Sequence, residues 1–450
     1  MKSSPTRRVL LAGAGIVALA VPLAACSAGG GSSDGKVEIT YLTQNAEANV
    51  TAANALMTQN AEANVTAANA LIEAFEAENP DITVKLETQP AGTEGDNLMK
   101  TKLATGEMED VFHYNSGSLF QALNPDQNLV PLDDQDWTGD LIDTMTAVVS
   151  TDNGVYGAPW GATQAGAVVY NKKIYADLGL EVPTTWEEFA ANNEAIKAAG
   201  ITPVIQTYGD TWTSQLFVLG DFGNVLAADP DWADEYTAGN RKYVDEPALE
   251  GFANQQAGFD AGWWNEDFGS ALFDDGARMI ATGEGAHYPI LTGIVSTIAQ
   301  NNPDELEDVG VFPLPAQDAA DTKLTVWLPN AIYIPKTTEG DKLEAAKKFV
   351  AFTQTEAGCE VQNTAMVPSG PYANACTLPD DVPGLLKDMQ VYFDEGNTNP
   401  ALEFLSPIKG PNLENITVQV GSGISSAEDG AALYDEDVVK QAQQLGLEGW

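Results

Sequence analysis

From Lys36 to Leu123 the chain switches repeatedly between a two-residue and a 3.6-residue hydrophobic period, and no other feature narrows its fold as far. Residues 36–42 read as a strand, and 67–78 (AANALIEAFEAE) put Leu71, Ile72 and Phe75 on one face of a helix. Asn79-Pro80-Asp81 stops that helix, and 82–86 (ITVKL) alternate as a strand does. Helix, strand and helix follow at 97–105, 110–114 and 117–123, then a Pro/Asp-rich loop at 124–136. Strands alternating with helices at these intervals predict an α/β fold, with a mainly parallel sheet and helices on both faces. In such sheets ligands bind beyond the carboxyl ends of the strands, so the loops after Leu42 and Phe112 become pocket candidates.

One irregularity interrupts this pattern. Residues 43–56 (TQNAEANVTAANAL) recur unchanged at 58–71, twice only, which reads as a local duplication or an assembly accident rather than a structural repeat. The second copy runs into the helix at 67–78. The first is left as a longer loop or as extra helix, and either copy can supply the residues after the first strand.

The first 25 residues read as an export signal: Lys2, Arg7 and Arg8, an apolar run from Val9 to Leu23, then small residues before Cys26. Leu23-Ala24-Ala25-Cys26 resembles the bacterial lipobox, which implies a lipid on Cys26 as the mature amino terminus. Arg7-Arg8 leaves the twin-arginine route open beside the general one. A Ser/Gly tether covers 26–35, and no later segment approaches 18 uninterrupted apolar residues, so the membrane is met only through the lipid. The length that remains exceeds what one hydrophobic core serves and predicts at least two lobes. A formal charge of −44, from 65 acids against 21 bases, repels nucleic acid and anionic lipid heads and excludes both as partners. With Cys26 lipidated, Cys359 and Cys376 remain as a pair in an oxidising compartment, where a bridge would contribute ~3 kcal/mol; two free thiols are the alternative. Two histidines and no Cys/His cluster at ligand spacing argue against a metal site, and no cofactor is expected.

From Gly154 the motifs become specific. Tyr156-Gly157-Ala158-Pro159-Trp160, an apolar strand ending in Tyr170-Asn171-Lys172, a short helix to Leu178-Gly179, and Val182-Pro183-Thr184-Thr185-Trp186-Glu187-Glu188 follow in order. Pro183 and the threonines stop one element and cap the next, with acids where a helix dipole favours them. Later come 273–282 (FDDGARMIAT), 283–290 (GEGAHYPI), 311–315 (VFPLP), 326–336 (VWLPNAIYIPK) and 343–356 (LEAAKKFVAFTQTE). In this order and spacing the segments resemble extracellular solute-binding proteins of the maltose-binding type. The resemblance implies a two-lobe, periplasmic-binding-protein-like fold of type II, with hinge crossings and a central ligand cleft. It implies an amino lobe of 36–157 plus 325–375 and a carboxyl lobe of 158–324 plus 376–450. It also implies a membrane permease of an ABC importer as partner, and a monomer is expected.

A sugar offers C–H faces to aromatic rings and hydroxyls to amides and acids, so its site mixes the two. Predicted loops with this mixture hold Asn45 and Glu47 (or their copies at 60 and 62), Tyr114 and Asn115, Trp160 and Gln164, Asp210 and Trp212, His287 and Tyr288, and Trp327 and Asn330, with Phe404 at the far edge. By resemblance, Tyr114, Gln164, Trp212, His287 and Tyr288 fall where the family places sugar contacts. These loops carry amides where the maltose type often carries charges, so the expected ligand is a neutral sugar or oligosaccharide. Trp232, Trp263 and Trp264 read as packing or surface. The rivals are a glycan hydrolase, for which the acid pairs Glu187-Glu188 and Asp274-Asp275 lie on predicted helix or turn surface, a structural or adhesive lipoprotein with no small ligand, and a binding protein for a non-sugar solute.

Overall fold

The computed structural model describes residues 36–44, 59–89, 92–447 and 449–450. In chain order the strands are β1 (Val37–Gln44), β2 (Ile82–Gln89), β3 (Val111–Tyr114), the hairpin β4 (Ser150–Thr151) and β5 (Gly154–Val155), and β6 (Ala158–Trp160). Next come β7 (Gln164–Asn171), β8 (Thr202–Val204), β9 (Gly285–Leu291), β10 (Val309–Phe312), β11 (Leu324–Trp327), β12 (Asn330–Tyr333) and β13 (Thr398–Pro400). They form two main sheets. One has the order β2-β1-β3-β12-β6; the other runs β13-β11-β7-β9-β8, with β10 also paired to β7.

Strand direction fixes which edges meet. β1, β2 and β3 are parallel and end at one edge of the first sheet. β6 ends at that same edge, the chain crosses at 161–163, and β7 begins the second sheet. It comes back from β11 through 328–329 into β12, which therefore runs away from the edge and lies antiparallel to β3 and β6. In the second sheet β11 is antiparallel to β7 for the same reason. The mainly parallel arrangement expected from the sequence thus holds for β2-β1-β3, whereas strands delivered by a crossing must pair antiparallel.

The sheets also correct the expected lobe boundaries. β6 belongs to the first sheet, so the first crossing lies at 161–163 rather than at 157/158, and β11 belongs to the second, so the return lies at 328–329 rather than at 324/325. Each sheet has its own apolar filling. Tyr41, Phe75, Phe112, Phe120, Tyr333 and Phe349 are fully buried around the first, and Val169, Ile205, Ile280 and Ile290 around the second. A helical annex of the carboxyl lobe packs Trp232 on Tyr236 with ring centres 4.9 Å apart and adds Tyr243 and Tyr434. Trp232 and Trp263 are core residues.

The helix Gln59–Glu78 starts within the second copy of the duplication and buries Ala67, Ala68, Leu71 and Phe75, the last 5.1 Å from Phe349. Thr43 and Gln44 of the first copy extend β1; the rest of that copy lies outside the described residues. The Pro183-Thr184-Thr185 signal does what its chemistry predicts. Thr185 caps the helix Trp186–Ala198 in a reciprocal capping box with Glu188. Cys359 and Cys376 are joined in a disulfide with Cα atoms 5.4 Å apart.

Candidate functional site

A strand that ends at the crossing edge presents its following loop there, and one that begins there presents its first residue. On the amino side, Trp160 ends β6 and Asn330 begins β12, and the two are cross-strand partners. On the carboxyl side, Gln164 begins β7 and Trp327 ends β11, and they too are cross-strand partners. These four expected site residues therefore flank the two crossings in two facing pairs. Trp327 lays its ring against Gly166, where a Cβ would come within 2.4 Å of it. The Gln164 amide lies over Gly293 in the same way, with Oε1 2.5 Å from where a Cβ would stand.

The end of β3 adds Tyr114, Asn115 and Ser116. Ser116 Oγ donates to the Pro329 carbonyl at 2.9 Å, and Tyr333 OH donates to the Asn115 carbonyl at 3.0 Å, which pins this segment to the return crossing. Tyr114 is at the edge but fully buried, and the Asp96 carboxyl group stands beside its hydroxyl, outside hydrogen-bond geometry. Burial holds Asp96 above the usual carboxylate range. Trp160 is likewise mostly enclosed, at 8% exposure, in the amino core.

β8 runs toward the same edge, so Asp210 and Trp212 lie beyond its end. Asp210 accepts the Phe273 amide at 2.7 Å, and burial, with Asp275 nearby, raises its carboxyl group. Trp212 is half-buried and tilts over Phe273 with ring centres 5.5 Å apart. β13, parallel to β11, also ends here and is followed by Leu402–Phe404. Phe404 and the Glu403 carbonyl reach across to Gly117 of the amino lobe, where a Cβ would lie 2.3 Å from that carbonyl. Gly117 sits at φ 69, so glycine there meets a backbone demand and a close approach together.

His287 and Tyr288 are corrected by the same logic. β9 is antiparallel to β7, with His287 opposite Tyr170 and Tyr288 opposite Val169. Those positions are six and five residues from Gln164, which at ~3.4 Å per residue is about 20 and 17 Å from the edge. Both side chains are core. His287 bonds Tyr175 OH at 2.7 Å and Asn193 at 2.8 Å, and burial lowers its pKa to about 3; Tyr288 OH meets Thr207 Oγ1 at 2.6 Å. The part of β9 that does reach the edge is its end, where Thr292 Oγ1 accepts the Ala165 amide at 2.9 Å. Asn45, Glu47 and Cys26 lie outside the described residues.

Sequence reading missed Asp96, Phe273, Thr292, Glu403 and Lys409. Lys409 brings a cation near Asp96, yet Glu403 takes its charge in an ion pair at 2.6 Å. None of these stands out by composition or spacing; only the end of β13, after Thr398-Asn399-Pro400, could have pointed to Glu403. Of the acid pairs, Glu188 serves as a helix cap, and Asp275 accepts the Leu272 amide at 3.0 Å.

The sequence model of the family described as "Bacterial extracellular solute-binding protein" matches residues 58–358. The chain is 27% identical over 351 residues to the multiple sugar-binding protein of Streptococcus mutans, covering 76% of this chain and 77% of that one. It is 27% identical over 125 residues to the melibiose/raffinose/stachyose-binding protein MelE of Bacillus subtilis, 28% of each chain. Among solved structures, a chitin oligosaccharide binding protein superposes with a TM-score of 0.76 at 22% identity, over 91% of this chain and 99% of the other. RafE in complex with raffinose superposes at 0.71 and 18% identity, over 91% and 100%. These likenesses show the two-lobe α/β fold of periplasmic solute-binding proteins. The chain belongs to the bacterial extracellular solute-binding proteins.

Proposed function

We propose that this protein captures a neutral sugar or oligosaccharide by closing its two lobes on it, and delivers it to the permease of an ABC importer while held to the membrane by a lipid on Cys26. The observation that carries the reading is the convergence of ring and amide side chains on the two facing sheet edges. Trp327 and Gln164 stand opposite Asn330 and Trp160 across crossings of two and three residues, and the half-buried Trp212 and Phe404 flank them. Rings supply flat apolar faces and amides supply paired donors and acceptors, as a hydroxyl-rich ligand requires. The relatives whose names specify sugars support the same class of ligand.

Closure follows from dividing the site between lobes. Each half holds the ligand weakly, and a ligand that touches both favours the closed form by its differential affinity; ~5 kcal/mol converts a mostly open population into a mostly closed one. A thermal-shift panel of melibiose, raffinose, stachyose and chitin oligosaccharides tests the ligand class. A bound sugar at a hundredfold excess over Kd adds ~2.7 kcal/mol to unfolding. A panel that leaves the melting point unmoved, while a peptide or other non-sugar solute raises it, refutes the sugar assignment. For the anchor, Cys26→Ala should release the protein from membranes into the medium.

A further inference from the structure

The two short crossings are accompanied by a third, and that one is stapled. The helix Glu356–Ala365 belongs to the amino lobe, where Ala357, Val361 and Ala365 pack on its core. From it runs a strap, 366–377, before the chain enters the carboxyl-lobe helix Gly384–Asp394. The first half of the strap leans on the carboxyl lobe. Ser296 Oγ donates to the Val367 carbonyl at 2.8 Å, and Thr292 Oγ1 to that of Ser369 at 2.9 Å. It also grips the first crossing, since Thr163 N and Oγ1 both donate to the Pro371 carbonyl at 2.8 Å.

The second half returns to the amino lobe. Asn374 Nδ2 donates to Gln354 Oε1 at 2.7 Å, Asn363 Nδ2 donates to the Thr377 carbonyl at 3.0 Å, and Cys376 is bonded to Cys359. Gln362, only 1% exposed, joins strap and crossing. Its Oε1 accepts the Gly161 amide at 2.8 Å, while its Nε2 donates to the Thr353 carbonyl at 3.2 Å and lies 4.0 Å from Cys376 Sγ. Gly161 itself has φ +95 with nothing within 4 Å of a Cβ position, so what the crossing requires there is a conformation, not space.

We propose that Gln362 and the Cys359–Cys376 bridge are positioning elements for lobe closure. They hold the strap on the amino lobe and clamp the crossing at 161–163, so that opening parts the 367–371 contacts to the carboxyl lobe and nothing else in the strap. Without the bridge the strap is free to follow the carboxyl lobe and to draw the Pro371 carbonyl away from Thr163; without Gln362 the Gly161 amide loses its buried acceptor. This clamp rests on the lobe movement proposed above but not on the identity of the ligand.

Hydrogen exchange of the ligand-free protein, read by mass spectrometry, and its X-ray scattering test this. Three samples are compared with wild type: the protein reduced by a phosphine, the double variant Cys359→Ser/Cys376→Ser, and Gln362→Ala with the bridge intact. Exchange at 161–163 should rise about five- to tenfold in all three, the consequence of one lost buried hydrogen bond, and the scattering should report a more open mean shape. A rise confined to 356–365 and 374–377, with 161–163 and the scattering unchanged, overturns the proposal and leaves the bridge a local staple. Where the double variant fails to fold, Gln362→Ala alone decides. Because no sugar is added, the comparison is decisive even for a protein that binds none, and failure of the clamp leaves the sugar reading untouched.

Discussion

Asp221 is a carboxyl group that the fold holds at a cost, and that cost rises with pH. The residue is 3% exposed and precedes the helix Phe222–Ala228. Burial, with Glu250 and Glu246 nearby, lifts its pKa from 3.8 to about 7 against the opposing hydrogen bond from Asn224. At 1.36 kcal/mol per unit, a rise of this size is worth roughly 4 kcal/mol. Below pH ~4 both folded and unfolded chains carry the proton and the residue contributes nothing. Between about 4 and 7 the folded chain keeps a proton the unfolded chain has lost, so stability falls as pH rises, and above ~7 the full penalty stands. Asp221→Asn removes the charge and keeps an oxygen to accept from Asn224 Nδ2, which is now 2.7 Å away. The variant should match wild type near pH 4 and exceed it by about 4 kcal/mol near pH 8. Urea unfolding of both proteins at four pH values between 4 and 8.5 reads the difference directly. A gap that is constant across that range, of either sign, refutes the argument, since only titration of this carboxyl group makes it pH-dependent.

Trp212→Ala should abolish any sugar-induced thermal shift and leave the unliganded melting point nearly unchanged, because the ring is only half-buried at the margin of the carboxyl core, beside Phe273; a large loss of unliganded stability would mark it as core instead. His287→Ala should do the reverse. It strands Tyr175 OH and the Asn193 carbonyl oxygen in the core, costs about 3 kcal/mol in urea unfolding, and leaves the sugar affinity of the folded protein unaltered. Gly117→Ala puts a methyl group 2.3 Å from the Glu403 carbonyl, and should weaken sugar binding at least tenfold in calorimetry by holding the lobes apart there; unchanged affinity would show that this contact is no part of closure.

Much of the fold was legible because its signals are local. The part of the helix Gln59–Glu78 from Ala67 onward is visible from the spacing of Leu71, Ile72 and Phe75, and the helix Trp186–Ala198 from Pro183 and its threonine cap. Strand direction was not local. Nothing in GAHYPIL says that β9 runs through Pro289 to Leu291, because proline ordinarily marks the end of a central strand. Here β8 stops level with His287, so the missing amide of Pro289 leaves no neighbour on that side unpaired. That is why two aromatic residues that read as a loop are buried in the middle of a strand. Asp96 and Lys409 escaped for the opposite reason, since a single charge on an exposed-looking segment acquires its meaning only from distant segments that pack beside it.

The placement of the aromatic residues also suggests a division of labour under the proposed closure. Crossings of two and three residues allow the strand ends they join to separate by no more than about 11 and 14 Å, so those ends cannot move far apart whichever way the lobes swing. Trp160, Gln164, Trp327 and Asn330 sit on those ends and keep nearly the same mutual arrangement in open and closed forms. Trp212 and Phe404 are attached to loops beyond β8 and β13, outside the paired crossings, and sweep through the larger distance. The hinge-side residues then form a standing half-site that a ligand meets first, and the outer rings add contacts only as the lobes shut. Since only interactions gained in the closed form drive closure, the outer rings and Gly117, more than the residues at the hinge, set how completely a given sugar shuts the protein.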